Sequence, residues 1–485
     1  MRALAATTLL MSGGCAAGPD YVRPGISPDA GYLPGAAPGA AGASPPSSPA
    51  SARLVDGMDI PGAWWQVFQS PPLDSLITQA LAHNPDLAAA QAGLDQAHEL
   101  ALAQRGSYCP SLSAGFAASR QRTSAQLAPT PNSGALEYSL FTPQLSISYE
   151  PDVFGLNRRT VEAMDAQSEQ ARFALIATHI TLSATVAATA IQEASLRAQI
   201  GAYQQQVDIA QRMVEAVSRQ FAAGYADRLD VAIQEALLGQ VRAALPPLRK
   251  QLAQERDLLA DLTGGFPNQA LDATFPLSSL TVPEDLPVSL PSRLVEQRPD
   301  VRQAEANLHA ACARIGIAAA SRLPSFSLTG DLGSMALTAG TILAGGTSFW
   351  GLAEGVTQPI FMGGALLHEE RAAKAAYEMA AQQYRSTVLT AYENVADALH
   401  ALSQDGDAVT AAAEGLDAAK VTLDLTRQQL ASGYATDLAV LTAEQAYQQA
   451  LVTVAQAQAN RFVDTVALFQ ALGGGWWNRT DLPSR

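Results

Sequence analysis

The sequence contains few cysteines and histidines, which many enzymes, metal sites and disulfide-rich proteins depend on. Among 485 residues there are only 3 cysteines and 6 histidines. It contains no Gly-x-Ser-x-Gly elbow, P-loop or Cys-x-x-Cys pair. His98 and His368 are each followed by Glu, as at the start of a zinc-protease helix. Leu102 and Ala372 then stand where the second histidine is required. We therefore expect no enzymatic activity, no cofactor and no metal site.

Positive charge and long apolar runs are scarce as well. The chain has 30 Lys and Arg against 45 Asp and Glu, a net charge of −15. Nucleic acids and anionic membrane surfaces repel such a chain, so neither is expected as a partner. No run of 18 or more apolar residues occurs, which predicts that no helix spans the inner membrane.

The N-terminus is typical of an export signal that ends at a cysteine. Arg2 precedes an apolar stretch, and small residues lead into Cys15. We predict a signal peptide over 1–14 and lipid modification of Cys15, with a plain signal peptide and an incidental cysteine as the alternative. Residues 15–60, rich in Pro, Gly, Ala and Ser, are predicted to form a lipid-anchored flexible segment.

The other two cysteines, Cys109 and Cys312, lie at non-equivalent places of the internal repeat described below. We predict that they are buried or free thiols. A disulfide between them in an oxidising compartment is the alternative.

Two stretches of roughly 70 residues, 156–223 and 365–432, contain no proline and are rich in helix formers. Each predicts a helix on the order of 100 Å at 1.5 Å per residue. Apolar and small residues recur at heptad-like steps, which favours packing against other helices. Charged residues interrupt the runs too often for a membrane span. We therefore predict a long antiparallel helical assembly.

The two stretches belong to an internal duplication with an offset of about 210 residues. Four landmarks recur in the same order: 84–87 with 298–301, 109–112 with 323–326, 150–155 with 358–363, and 223–226 with 432–435. We predict a first repeat over 61–282 and a second over 283–485.

Each repeat predicts the same order of elements. A helix of about 30 residues comes first, then two extended segments, the long helix, a Gly-Tyr turn and a returning helix. The first helices are predicted over 73–106 and 292–321, and the returning helices over 229–262 and 438–472. Pro299 and Asp300 suit the first turn of a helix. Pro246 and Pro247 are predicted to kink or break the first returning helix.

The extended segments alternate apolar and polar residues, as in Leu112, Ala114 and Phe116 with serines between them. Such a pattern indicates a half-buried strand or a barrel strand with lipid outside and water inside. Four strands cannot close a barrel alone, because the smallest outer-membrane barrels need about eight. Two copies would supply eight strands and three copies twelve, and the residues alone do not choose.

The landmarks resemble the TolC family of outer-membrane efflux channels, in particular the lipoprotein branch of OprM and NodT-like proteins. The motifs that carry the resemblance are Cys-Ala-Ala-Gly-Pro-Asp-Tyr at 15–21, Arg-Pro-Asp-Val at 298–301, Gln-Pro-Ile-Phe at 358–361, Ala-Glu-Gln-Ala-Tyr at 443–447, and Ala-Leu-Gly-Gly-Gly-Trp-Trp at 471–477. The resemblance implies an α+β membrane protein that forms a homotrimer. Its twelve-stranded outer-membrane β-barrel would continue into a long periplasmic α-helical barrel, both built from the two repeats.

The resemblance also implies a gate at the periplasmic end of the helices. Asp230 falls where some relatives carry a pore-facing aspartate, whereas Ala439 occupies the equivalent place in the second repeat and Thr442 stands where relatives often have aspartate. The candidate gate residues are Asp227, Arg228, Asp230 and Asp437. A solvated position at a helix start is the alternative for Asp230.

The Gly-Tyr turns, Gly224-Tyr225 and Gly433-Tyr434, are predicted first as turn chemistry. By resemblance they would also contact a periplasmic adaptor protein.

The predicted function is a passive outer-membrane exit duct of a tripartite efflux pump for small molecules. Its implied partners are an adaptor, an inner-membrane transporter and outer-membrane lipid. Channels for metal efflux or protein secretion are alternatives within the class. A soluble periplasmic coiled-coil scaffold is the alternative from another class.

Overall fold

A computed structural model describes residues 16–25, 31–32, 53–124, 137–269, 274–283, 285–289 and 291–482. The predicted signal peptide, 1–14, and the predicted lipid site, Cys15, lie outside them. The helices are α1 Pro71–His83, α2 Pro85–Arg105, α3 Leu156–Ala222, α4 Arg228–Leu262, α5 Pro291–Gln297, α6 Pro299–Ala320, α7 Ala365–Ala431 and α8 Asp437–Ala471. The strands are β1 Arg53–Asp56, β2 Ser111–Arg122, β3 Glu137–Tyr149, β4 Asp285–Val288, β5 Ser325–Ser334 and β6 Ser348–Thr357.

The chain divides into two compact units that differ from the two sequence repeats. The first unit takes Leu94–Gln170, Ala304–Tyr384 and the described residues of Met1–Arg23. The second takes Ala171–Gln303, Arg385–Arg485 and Pro24–Gly93, again as far as these are described. Each unit thus draws on both repeats.

The two long helices form as predicted. α3 and α7 have 67 residues each, or about 100 Å at 1.5 Å per residue. One 18-residue window of α3 is long and apolar enough to cross a membrane, yet 67% of it is buried inside the structure. Buried core helices of soluble proteins share that composition, so the window is weak support for a membrane span.

The predicted first helix of each repeat is wrong in one respect, because each is two helices. α1 ends at His83 and α2 begins at Pro85, and α5 and α6 meet in the same way before Pro299. Proline lacks the N–H that would continue the preceding helix, and it forces the residue before it out of the helical region. Asn84 is accordingly extended, with ψ 124°. Its side chain accepts hydrogen bonds from the N–H groups of Asp86 and Leu87 at 3.0 and 3.1 Å and so starts α2.

The predicted start of a helix at Pro299 and Asp300 is confirmed. Of the kink or break predicted at Pro246 and Pro247, the break does not occur, since α4 runs through both prolines. Each proline removes one helical hydrogen bond. Buried leucines on either side of the pair, Leu238, Leu245 and Leu259, keep α4 packed.

The four extended segments form one antiparallel sheet in the order β2-β3-β5-β6. Its register brings the apolar residues onto one face: Leu112 lies opposite Ile147, Leu145 opposite Leu332, and Leu332 opposite Trp350. These side chains are exposed in the single chain. The other face is polar, where Ser146 donates to the Asp331 carboxylate at 2.6 Å and Gln144 donates to it at 3.1 Å. The predicted alternation is therefore confirmed.

The predicted flexible segment 15–60 is described only in part: residues 16–25 make ordered contacts, which departs from the prediction, and residues 26–30 and 33–52 lie outside the described residues. The buried Arg159 donates to the Ala17 carbonyl oxygen at 3.2 Å and to the Asp20 carboxylate at 2.7 Å. The Tyr21 ring stacks on His309 with centroids 4.4 Å apart. The composition predicts flexibility because the segment has few apolar residues of its own. Its order comes instead from contacts with residues far along the chain.

A second departure from the predicted flexible segment is a two-stranded parallel sheet in the second unit. β1, at 53–56, pairs with β4, and Arg53 and Asp285 form an ion pair of 2.7 Å across it. Nearby in sequence, Trp64 and Phe68 are fully buried. Trp64 stacks on Phe469 of α8, and Phe68 meets Phe462 of α8 edge to face. These rings form an aromatic core for the second unit.

Cys109 is exposed and Cys312 is buried, and both are free thiols. The prediction of two free thiols is confirmed, and the alternative of a disulfide between them is excluded.

Candidate functional site

The candidate site comprises the two turns at 223–227 and 432–436, which we name the tip turns; both lie in the second unit. In the first, the Tyr225 N–H donates to the Gln220 carbonyl at 2.9 Å and the Gly224 N–H donates to the Phe221 carbonyl at 3.0 Å. This pair of bonds is the Schellman arrangement that ends many helices.

The second tip turn repeats the same bonds, from Tyr434 to Gln429 and from Gly433 to Leu430, at 2.9 and 3.0 Å. Gly224 and Gly433 have φ of 81° and 77°, a region in which a Cβ is strained. The predicted turn chemistry is confirmed at both places.

The helices that leave the tip turns begin differently. Asp227 and Asp230 form a reciprocal capping box, each carboxylate accepting from the other's backbone N–H at 3.0 Å. In α8 the cap is Thr436, whose hydroxyl accepts from the Ala439 N–H at 3.2 Å. The geometry therefore gives Asp230 the helix-start role that was its alternative, and Ala439 leaves the second turn without the reciprocal bond.

The tip turns present aromatic and charged groups to solvent in the single chain. Tyr225 and Tyr434 are each 87% exposed, so neither ring contributes to the core of its own unit. Asp227, Arg228 and Asp437 are exposed as well. Arg228 forms an ion pair of 3.3 Å with Glu235 one to two turns into α4. The structure thus brings the predicted residues of each turn to one exposed end of a helix pair.

Two helices from different repeats pack together near the tip turns. Ile209 and Met213 of α3 form a buried cluster with Leu441 of α8. Beside it, Glu444 of α8 accepts from Arg212 of α3 at 3.0 Å and from Arg427 of α7 at 2.9 Å. We name Glu444 and its two arginines the ion-pair node. It joins α3, α7 and α8.

The contact between α3 and α8 continues as a polar seam beyond the node. Gln206 donates to Gln449 at 3.3 Å, Gln456 donates to Gln199 at 3.0 Å, and Ser195 donates to the Ala455 carbonyl at 3.4 Å. Amide and hydroxyl groups of this kind can exchange their partners for water.

The ion-pair node was not predicted, although Glu444 lies within the 443–447 motif. Its partners lie 232 and 17 residues away, and only the packing of α3 against α8 identifies them. The sequence did contain one signal: residues of opposite charge lie at similar distances from the two Gly-Tyr turns. Among the residues that the structure describes, no group of three or more His, Cys, Asp or Glu is placed to hold a metal ion.

Comparisons with known proteins agree with this architecture. The sequence matches the outer membrane efflux protein family over residues 76–265 and 290–474. It is 32% identical over 430 residues to the pyoverdine export outer membrane protein OpmQ of Pseudomonas aeruginosa, covering 88% of this chain and 90% of that one. It is 30% identical over 486 residues to the toluene efflux pump outer membrane protein TtgF of Pseudomonas putida, covering 97% and 96%.

A solved structure extends the comparison to the fold. The open state of the MtrE outer membrane channel of Neisseria gonorrhoeae superposes with a TM-score of 0.78 at 28% identity, covering 96% of this chain and all of that one. The similarity therefore includes the sheet, the long helices and both repeats.

Proposed function

This chain belongs to the outer membrane efflux protein family, and from that premise we propose that it is the passive exit duct of a tripartite pump. The observation that carries the proposal is the presence, in one chain, of a sheet with an exposed apolar face and of two helices of roughly 100 Å that end in exposed turns. The first feature suits lipid and the second suits a space as wide as a periplasm. Energy would come from the transporter, because a duct only provides a path.

We infer that three copies assemble. Within the described residues, β2 and β6 each pair along one edge only, and an unpaired edge is not tolerated in lipid. Pairing β2 of one copy with β6 of the next would close the sheet. Three copies of four strands give the twelve-stranded barrel that the family resemblance implies. The polar face with Asp331, Gln144 and Ser146 would then line the pore.

The tip turns are our candidate for both gate and docking surface. An adaptor protein would contact Gly224, Tyr225, Gly433 and Tyr434. The rings of the two tyrosines are exposed and are not part of the chain's own core. In a trimer the charges of Asp227, Arg228, Asp230 and Asp437 would be repeated three times around the same end. The capping box supports a structural role for Asp230, and Asp437 remains the acidic candidate in the second turn.

We propose that lipid modification of Cys15 gives the duct a membrane anchor in addition to its sheet. Two residues after it, the Ala17 N–H donates to the Phe154 carbonyl at 2.9 Å, five residues beyond the end of β3. This ordered contact supports an attachment close to the level at which the sheet would meet the membrane. The same contact also suits an unmodified cysteine, so mass spectrometry of the N-terminal peptide is the direct check.

The exported compounds are proposed to be small organic molecules. OpmQ and TtgF are named for pyoverdine and toluene, which differ widely in size and polarity. A duct with a polar lining suits such variety. Metal efflux and protein secretion remain the alternatives.

Deletion of the gene in its own bacterium tests the proposal. We expect organic solvents, antibiotics or siderophores to accumulate in the cell, and a plasmid copy to restore their export. Export of metal ions and of secreted proteins should be measured in the same experiment. An export defect confined to either class would contradict the assignment to small molecules. Unchanged export of every compound in the panel would contradict the duct, and a protein found only in the soluble periplasmic fraction would favour the scaffold alternative.

A further inference from the structure

One contact in the first unit joins the two repeats of the chain, and we name it the in-chain joint. β3 pairs with β5 in the sheet. Because α3 follows β3 in the chain and α6 precedes β5, the same pairing brings these two helices together. There His309 of α6 lies 2.9 Å from the Glu162 carboxylate of α3. The in-chain joint therefore combines a strand pair with a helix contact that holds a carboxylate against an imidazole.

The helix on the β3 side of the in-chain joint recurs at a fixed shift. α3 begins at 156 and ends at 222, and α7 begins at 365 and ends at 431, a shift of 209 residues at both ends. The glycines just before the two helices, Gly155 and Gly364, have φ of 84° and 85°. This match lies one residue from the sequence landmark at 358–363. The counterpart of Glu162 is therefore Arg371, on α7.

The elements on the β5 side of the in-chain joint recur at a second fixed shift. α2 and β2 begin at 85 and 111, and α6 and β5 begin at 299 and 325, a shift of 214 residues in both cases. The shift is thus constant from the start of the helix to the start of the strand. The counterpart of His309 is therefore Asp95, on α2.

The counterparts of the in-chain joint are open in the single chain. β6 and β2, which correspond to β3 and β5, pair along one edge only within the described residues. The β2–β3 and β5–β6 registers, with 111 opposite 148 and 325 opposite 357, give β6 the same shift of 209 residues from β3. Arg371 and Asp95 are both exposed. One chain thus carries both halves of a second joint at opposite edges of its sheet, and another copy has to supply the partner for each half.

The second joint has the opposite order of charges. In the in-chain joint the carboxylate, Glu162, lies on the helix that follows the strand. In the second joint that helix carries Arg371, and the carboxylate, Asp95, lies on the helix that precedes the strand. A wrong match of α3 with α2 would set Glu162 against Asp95, and two carboxylates repel. A wrong match of α7 with α6 would set Arg371 against His309 without a carboxylate. Charge therefore favours α2 as the partner of α7.

The same two shifts predict which side chains of the strands meet. Ile147 lies opposite Gly330 in the in-chain joint, and their counterparts are Val356 of β6 and Phe116 of β2. Val356 and Phe116 are 60% and 64% exposed in the single chain. Both belong to the sheet face that carries Trp350, so this register continues the apolar face from one copy to the next.

We propose that α7 and β6 of one copy dock on α2 and β2 of the next copy, with Arg371 paired to Asp95. The occupant of each open edge is thus a second copy of this chain. The proposal rests on the proposed assembly of copies, and it adds the residues that select one partner edge. Its geometry comes from the in-chain joint and its specificity from the order of charges.

Crosslinking of the full-length protein in mild detergent tests the pairing. Asp95→Cys and Arg371→Cys are placed in one chain together with Cys109→Ser, because Cys109 is exposed. A short bismaleimide should then join copies to each other and give covalent dimers and trimers on a denaturing gel. The matched control carries Glu369→Cys in place of Arg371→Cys. Glu369 is also exposed but lies about 200° around α7 from position 371, so the control should stay mainly at the mass of one chain.

Charge exchange tests the selection of the partner edge. Asp95→Arg and Arg371→Asp should each weaken assembly, by up to about 5-fold at each contact for a partly exposed ion pair. The variant with both changes should restore the ratio of assembled to monomeric protein, measured by light scattering over a dilution series. A double variant that assembles as weakly as the single ones overturns the ion pair.

The outcomes separate this pairing from the proposed duct. Assembled particles that give no crosslink, or that give as much crosslink in the control, overturn the pairing and leave the duct standing. A wild type that remains a monomer overturns both.

Discussion

At the residue scale, glycine is required where a Cβ would be strained or would collide. Gly433 holds φ 77° in the second tip turn, with open space around it. Gly316 is helical but crowded: a methyl group there would lie 2.8 Å from the Ala17 carbonyl oxygen and 2.7 Å from Cγ of Arg159. Glycine is therefore required at Gly433 by the backbone conformation and at Gly316 by the close contacts.

Gly433→Ala is expected to destabilise the second tip turn by about 1 kcal/mol, because alanine is strained in the left-handed region. The matched control is Gly415→Ala, also in open space but inside α7, where alanine should stabilise the helix by about 1 kcal/mol. Hydrogen exchange of peptides around each site, in the full-length protein, measures both. Changes of the same sign at the two positions would contradict the turn geometry.

Gly316→Ala is expected to displace the N-terminal segment 16–25 from the first unit. Overpacking typically costs about 1–3 kcal/mol, and the rigid Ala17 carbonyl cannot yield as a side chain could. Limited proteolysis should then cut the segment faster than in the wild type. Gly201→Ala, exposed within α3 with nothing near its Cβ, is the control and should leave the cleavage rate unchanged. An intact segment in Gly316→Ala would show that the observed docking is not needed for order.

At the element scale, the sequence predicts the helices, strands and turns that depend on residues close together in the chain. The absence of proline over 67 residues, the alternation in β2 and the Gly-Tyr pairs each fix an element locally. The breaks before Pro85 and Pro299 were also locally encoded, and the prediction failed because it ran one helix through each of these prolines. Pro246 and Pro247 show the reverse case, in which packing of buried leucines overrides a local rule.

Long-range partners account for what sequence could not predict. β1 pairs with β4 across 232 residues, and Arg159 holds Asp20 from 139 residues away. The ion-pair node has the same character, since Glu444 meets Arg212 only because α3 packs on α8. The periodicity of one segment does not identify its partner in another, so these contacts could not be predicted from sequence.

Glu444→Gln is expected to loosen the contact between α3, α7 and α8 near the tip turns. The change removes two charged pairs whose shared carboxylate is only 16% exposed, and about 1–2 kcal/mol is the expected loss for partly shielded pairs. If the tip turns form the gate, ionic conductance of the protein in planar bilayers should rise. Glu414→Gln, an exposed position on α7, should leave the conductance unchanged. Equal conductance in the two variants would remove the node from any role in gating.

At the scale of the whole molecule, the single chain is incomplete as a membrane protein. An apolar sheet face with Leu112, Leu332 and Trp350 is exposed, and both outer strands of the sheet lack a second neighbour among the described residues. Lipid can cover the face but cannot pair the edges. Pairing of these edges between copies, as proposed above, would leave no open edge in lipid.

The most direct measurement is electron microscopy of the full-length protein in mild detergent, with its mass determined by light scattering. The account predicts three copies around a hollow axis, with β2 of each copy paired to β6 of the next. A monodisperse monomer that is soluble without detergent, or a sheet whose edges stay unpaired in the assembled particle, would contradict it.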